Sequence, residues 1–299
     1  MTHQLLESQS TKVVLWDVNG RVWHLSGANA GREGVRLSNQ NGFMFAPVQL
    51  LVNEGARQDG ATFQRSVRAK KEWDFIAVIS QSAKSTGVSP VRDFHAVHDA
   101  WFRGWSTDKP STIGFYTKHQ GWRFQQVQLD AAPEAVGDID PARNAIALYK
   151  MSATAMDPLE RHFDETSVWT NTSGLGEGRV RARNAADQPA WPRYTMNGPG
   201  RWAIQDSTTL VDGQPRVVQT PRLDANQTLR IDTHPRHRTA RLYSGTQTKT
   251  QNVWAQLAGR RWLAPLQPWS ATDLIVQVDG GNLQSSLIVS VTPRSSRPF

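Results

Sequence analysis

The sequence predicts a mainly β protein in two parts, the first enclosing one helix and the second a β-sandwich, and three observations carry that expectation. Short apolar or alternating runs are punctuated by Gly, Pro and Asn along most of the 299 residues. Helical periodicity is sustained in one place. A small, polar, glycine-rich stretch lies near the middle of a chain longer than the roughly 100–200 residues one domain commonly takes.

In chain order, Val13 to Val18 and Arg21 to Leu25 flank Asn19-Gly20, which predicts an opening hairpin closed by a type I′ turn. A turn-rich patch, Gly27 to Gly34, precedes extended segments at Val35 to Leu37 and Phe43 to Val52, and Asp59-Gly60 marks a reversal. Thr62 to Arg68 and Trp73 to Ser80 read as strands. In the second, Trp73, Phe75, Ala77 and Ile79 share a face while Ile76 and Val78 make the other partly apolar, the pattern of a strand covered on both sides. The helix follows, with Ser89 as cap, Pro90 in the first position, and Phe94, Val97, Trp101, Phe102 and Trp105 on one stripe. That much aromatic surface has to be packed against a sheet or another subunit. Ile113 to Lys118, Gly121 to Leu129 and Asn144 to Ser152 return to extended patterns.

The polar segment Thr166 to Gly178 has the composition of a linker. The expected domains are therefore 1–165 and 179–299, joined by 166–178. Beyond the linker no helical period appears, and Leu274 to Val278 and Leu287 to Val291 flank Gly280-Gly281-Asn282 as a terminal hairpin or meander. A β-sandwich is the simplest closed solution for this half.

Composition excludes several kinds of chemistry. The chain has no cysteine, so disulfides, thiolate nucleophiles and cysteine-based zinc sites are ruled out. Its beginning, MTHQLLESQSTK, lacks a basic stretch leading into an apolar one, and no uninterrupted apolar run is long enough to cross a bilayer, so neither a signal peptide nor a membrane anchor is expected. Eighteen basic and eighteen acidic residues cancel in 1–165, while sixteen against eight in 166–299 carry the whole net charge of +8. Clustered Arg can neutralise phosphate, but no basic run exceeds two residues, which favours a solvated surface over nucleic-acid specificity.

Candidate catalytic and metal-binding groups are sparse. His95 and His98 lie three apart near Asp93 and Asp99, without the i, i+4 histidines and intervening Glu of a metalloprotease helix. His234 and His237 flank Pro235 in an Arg-rich turn. Gly174, Gly176 and Gly178 lack the spacing of a dinucleotide-binding loop, and Asp138 and Asp140 sit in a turn-like segment without the burial that raises a carboxyl pKa. No enzyme activity, metal or cofactor is expected.

The second half carries a distinctive order of residues. Asn184, Asp187, Pro189, Ala190, Trp191 and Pro192 are followed by Gly198-Pro199, Ile231-Asp232-Thr233 and Leu266 to Pro268. This cassette resembles the C-terminal half of siphophage distal tail proteins, components of the baseplate hub, whose turn reads Asn-x-Gly-Asp-x-x-Ala-x-Pro. Here Ala186 replaces the usual Gly, and Trp269 stands where the family more often has Gly. The order of elements in the first half, through Met156-Asp157-Pro158, is also similar to that family's N-terminal domain.

The resemblance implies a specific architecture and role. Residues 1–165 would form a β-sandwich or split-barrel-like domain with one helix that closes a homohexameric ring, and 179–299 a galectin-like β-sandwich projecting from it. The partners implied are the tail tube protein, the end of the tape-measure protein, the tail-associated hub protein and other tail-tip proteins, in a virion assembled from chains made in the host cytoplasm. Trp16, Trp23, Trp101 and Trp105 hold patterned core positions, while other tryptophans of the twelve are available as interface anchors. The alternative is a lectin-like adhesion protein that contacts host cell-wall glycan by stacking sugar on Trp191, Trp202, Trp254 or Trp262.

Overall fold

The computed structural model describes residues 11–56, 59–82, 90–137, 140–237, 239–245 and 250–299. The expected helix cap Ser89 and one member of the carboxylate pair, Asp138, lie outside the described residues. The chain divides into two compact units, Met1–Arg161 with Ser295–Phe299, and His162–Arg294.

The first unit contains β1 (Lys12–Trp16), β2 (Val22–Ser26), β3 (Val35–Asn41), β4 (Val48–Asn53), β5 (Thr62–Arg68), β6 (Lys71–Ser80), α1 (Pro90–Arg103), β7 (Ser111–Thr117), β8 (Gly121–Leu129), β9 (Glu134–Ala135), α2 (Pro141–Asn144), β10 (Ile146–Ala155) and β11 (Glu160–Arg161). Its sheet runs β2-β1-β7-β8-β10-β6-β3, antiparallel throughout. Between β8 and β10 the register consists of Ala153 with Leu129 and Thr154 with Gln128, so two broad ladders meet at a narrow corner. The aromatic stripe of α1 fills the interior: Trp101 meets Trp23 edge-on at 5.2 Å and Trp105 at 5.5 Å, and its indole N–H points at Met151 Sδ, 3.1 Å away. The alternation expected of β6 is present, with Trp73, Phe75, Ala77 and Ile79 buried on one face.

The opening hairpin forms, but not with the expected turn. Gly20 alone adopts a left-handed φ of 81°, and its N–H bonds Asp17 O at 3.0 Å, which makes a type I turn with a glycine bulge rather than type I′. The cause is Asp17, a buried carboxylate that accepts the Asn19 and Arg21 backbone N–H groups, each at 2.9 Å, and the Trp23 indole at 3.0 Å.

The second unit is a two-sheet sandwich. It contains β12 (Glu165–Thr170), β13 (Glu177–Asn184), β14 (Pro192–Asn197), β15 (Gly200–Val211), β16 (Gln214–Leu223), β17 (Gln227–Asp232), β18 (Thr239–Ser244), β19 (Gln251–Asn252), a 3-10 turn at Trp254–Leu257, β20 (Ser270–Asp279) and β21 (Ser286–Val291), while β22 (Arg294–Ser295) spans the division between the units and belongs to the sheet of the first. The larger sheet is ordered β12-β21-β14-β17-β18-β19 and the smaller β13-β20-β15-β16. Val180, Tyr194, Met196, Trp202, Ile204, Leu229, Ile231, Leu274, Val276 and Val289 belong to the core between them.

Three expectations for this half are corrected. Residues 166–178 are not a free linker: β12 pairs with β21 along its whole length. Their glycines serve close approach, since a Cβ at Gly178 would lie 2.1 Å from Trp169 Nε1 and one at Gly176 2.4 Å from Val278 O. The strands around Gly280-Gly281-Asn282 are not a hairpin either, because β20 and β21 lie in different sheets and the turn is an arch between them. Ser285 fixes that arch by donating its hydroxyl to Pro199 O at 2.7 Å. Finally, residues 295–299 rejoin the first unit, where Arg123 donates to Arg297 O at 2.7 Å and Phe299 lies 5.9 Å from Phe43.

Candidate assembly interface

The residue cassette singled out in the sequence is a clasp within the second unit. Fully buried Asn184 donates its amide N–H groups to the carbonyls of Gln188 at 2.8 Å, Gln267 at 3.0 Å and Leu266 at 3.4 Å. Ala190 and Leu266 exchange backbone hydrogen bonds of 3.1 and 2.8 Å, and the Trp269 N–H bonds Ala186 O at 3.1 Å. Two segments about eighty residues apart are thereby locked together. The far side of the loop is held by Asp206, also fully buried, whose carboxylate accepts from Leu263 N, Ala264 N and the Arg216 guanidinium at 2.9–3.0, 3.1 and 2.5 Å. Burial, with Asp206 nearby, pushes the Tyr194 phenol far above its ordinary range, so it stays protonated.

The two departures from the family pattern now have physical readings. Ala186 is fully buried and is not among the residues with positive φ, so this turn does not require glycine there. Trp269 does adopt a left-handed φ of 54°, a conformation glycine takes at no steric cost and a bulky residue only under strain. The residue is 70% exposed.

The four tryptophans named for sugar contact are not brought together as a platform. Trp202 is 0% and Trp262 5% exposed, both members of the sandwich core, and Trp262 packs 4.9 Å from Tyr194. Neither offers a ring face to solvent, which corrects the expectation for those two. Trp254 is half-buried against the core, and Trp191 is half-buried with its ring 6.3 Å from His234.

The first unit presents two unlike apolar surfaces. Strands β4 and β5 form a separate two-stranded sheet. Val48 and Leu50 point to one face, Val67 to the other, and Leu50 and Phe63 are 61% and 60% exposed. The second surface lies on β1, β7 and β8, where half-buried Trp16, Tyr116, Trp122 and Phe124 gather: Trp122 stacks on Phe124 at 5.7 Å and meets Trp16 edge-on at 5.8 Å. Lys12 Nζ lies 5.7 Å from the Trp122 ring, and burial lowers its pKa. Sequence patterning assigned Trp16 to the core; instead it faces outward with this cluster, because Gly114 beneath it leaves the room its ring occupies.

The other candidates resolve into structural roles. His98 hydrogen-bonds the Tyr149 hydroxyl at 2.9 Å and packs on Phe102, and burial lowers its pKa; His95 is exposed. His234 and His237 lie 5.1 Å apart, and burial followed by the Arg294 charge lowers the His234 pKa. Asp140 is exposed. Among the described residues no three His, Asp or Glu side chains gather as metal ligands. One pair escaped sequence reading altogether: Lys71 and Glu160, 1% and 0% exposed, form an ion pair inside the first unit. Neither residue type, seen alone in a strand, signals burial.

The fold is that of the Dit-type baseplate hub proteins of phages. No protein-family model and no curated protein matches the sequence. The Dit protein of phage SPP1, described as a paradigm of the hub adsorption apparatus in phages infecting Gram-positive bacteria, superposes with a TM-score of 0.60 at 13% identity, covering 95% of this chain and 99% of its own. A chain of the phage P2 baseplate in its activated conformation with calcium matches at 0.54 with 7% identity over 96% and 99%, and one from the activated conformation with strontium at 0.52 with 8% over 94% and 98%.

Proposed function

We propose that this chain is the distal tail protein of a long-tailed, non-contractile phage, a structural component without enzymatic activity. Its first unit forms a hexameric ring that continues the tail tube, and its second, a galectin-like sandwich, reaches outward to other tail-tip proteins. Tail tube protein, the end of the tape measure and the tail-associated hub protein are its partners in the virion. The Dit fold over nearly the whole chain supports this reading.

The single observation that carries the ring is the β4–β5 hairpin. An isolated two-stranded sheet is marginal in water, and this one exposes Val48, Leu50, Val52, Phe63 and Val67 rather than burying them in its own unit. A closed ring repeats one heterologous contact, so each subunit needs two different surfaces that fit one another. The hairpin is one; the cluster of Trp16, Tyr116 and Trp122 is the other. The equal numbers of acidic and basic residues in 1–165 remove the net repulsion that would oppose close packing of six copies.

Native mass spectrometry of the purified chain, with electron microscopy of particles carrying an epitope on the second unit, tests the proposal. Six-subunit rings, or density for this chain at the tail tip, are expected. The pair Leu50→Glu and Phe63→Glu should abolish ring formation while leaving the monomer's melting temperature within about 3 °C, on the order of the roughly 2–4 °C that 1 kcal/mol produces in a domain of this size. Particles lacking this chain at the tip would overturn the reading.

A further inference from the structure

We propose that the outer face of the larger sheet in the second unit is a binding site for an anionic polysaccharide. This inference does not depend on ring formation, and it places glycan contact on a surface other than the tryptophans.

Three rows of side chains cross this face. The central row runs Ile288, Thr195, Arg230, Arg241 and Asn252 through consecutive register pairs of β21, β14, β17, β18 and β19. Arg230 and Arg241 are therefore directly opposite one another, on the solvent side of the sheet. Like charges in that position destabilise a sheet, and the row holds no acid to offset them. A second cross-strand arginine pair, Arg201 with Arg222 on the smaller sheet, has Asp279 in register on the other side of Arg201. The Arg230–Arg241 pair has no such neighbour.

The acids nearby are already engaged. Asp164 is bound by Arg193 and by the Thr292 hydroxyl, and Asp232 accepts the His234 N–H at 2.9 Å. Arg230 has no carboxylate partner among the described residues; its guanidinium lies 4.8 Å from the Tyr243 ring. Arg241 donates to the neutral Thr250 hydroxyl at 3.2 Å. Two guanidinium forks thus stand side by side, suited to bidentate contact with a carboxylate, sulfate or phosphate.

The surroundings favour a sugar polymer over an acidic protein. Arg193, Thr195, Arg230, Asp232, Arg241 and Ser290 are among the residues lining a groove of about 370 Å³, to which the core residues Tyr194 and Ile231 also contribute. Most of the lining side chains carry hydroxyl, guanidinium or carboxylate groups, which match the donors and acceptors of sugar rings. Apolar side chains in this row stand at its far end, Ile288 and Val168, while the positions in register with Arg230 and Arg241 are Thr195 and Asn252 rather than the desolvated apolar anchors usual in protein–protein contacts.

The test is affinity electrophoresis of the full chain through gels containing polygalacturonate, dextran sulfate or neutral dextran, at about 0.15 M salt so that diffuse attraction is screened. Retardation is expected in both anionic gels and not in neutral dextran. Arg230→Gln with Arg241→Gln should weaken binding at least tenfold and leave the melting temperature unchanged or raised, because the repulsion is gone. Arg201→Gln with Arg222→Gln removes the same charge elsewhere and should change binding less than twofold. Equal losses in both double variants would reduce the effect to net charge and overturn the proposal. So would absence of retardation, or equal retardation in neutral dextran. If an acidic tail protein rather than polysaccharide is retained through Arg230 and Arg241, the site is real but the ligand class proposed here is wrong.

Discussion

Lys71 and Glu160 stand 89 residues apart in sequence yet share a hydrogen-bonded ion pair from which solvent is almost wholly excluded. Burial lowers the Lys71 pKa and raises that of Glu160, and each partner's charge opposes the shift of the other. The pair joins the start of β6 to β11, so it ties the last residues before the second unit to the sheet of the first.

Desolvation sets the consequence. Removing one partner strands a buried charge, whereas replacing both by apolar residues of similar volume removes the desolvation cost together with the attraction. Glu160→Leu and Lys71→Met should each destabilise by about 3–5 kcal/mol, and the double variant should return to within about 1 kcal/mol of the parent or exceed it. Urea unfolding of the four proteins, read as a double-mutant cycle, checks this. Additive losses would show that the pair is not coupled.

Asn184 offers a sharper contrast, because it acts through its N–H groups. Asn184→Ala leaves the carbonyls of Gln188 and Gln267 without that donor and should cost about 2–3 kcal/mol. Asn184→Asp is nearly isosteric but puts acceptors where donors are required and buries a charge, so it should cost more than Ala. Thermal melts at neutral pH decide the order. An Asp variant as stable as the parent would show that the clasp does not depend on donation.

Gly178 is required by space rather than by φ. Gly178→Ala should cost about 1–3 kcal/mol through overpacking against the Trp169 indole. In a Trp169→Leu background the same substitution should cost less than half as much. Gly121, with a φ of 70° and nothing within 4 Å of an added Cβ, provides the reverse case, since alanine there pays only conformational strain of about 1–2 kcal/mol. Equal Gly178→Ala losses with and without Trp169 would refute the steric account.

These particulars show where sequence reading succeeds. The helix at Pro90–Arg103 was legible because Phe94, Val97, Trp101 and Phe102 repeat on one stripe, and β6 because Trp73, Phe75, Ala77 and Ile79 recur at every second position. The order of motif residues around Asn184 and Leu266 also survived, as the clasp that joins them. Composition misled where glycine had two meanings. Gly174, Gly176 and Gly178 read as a flexible linker, yet Gly176 and Gly178 are there so that a backbone carbonyl and an indole can approach the chain closely. The tryptophans misled similarly, since an aromatic residue on a strand carries no mark of which side of the sheet it faces until the partner sheet is known.

By itself the sequence determined the local alphabet of this protein: short strands, one amphipathic helix, turn positions, a basic second half and the absence of thiol chemistry. Those follow from propensity, periodicity and counting, which act between neighbours in the chain. Only the tertiary structure decided that β20 and β21 belong to opposite sheets, that Lys71 meets Glu160, that Trp202 is sealed while the β4–β5 hairpin is bare, and that Arg230 faces Arg241. Each depends on register between distant segments. A shift of one residue in that register would turn every side chain to the opposite face.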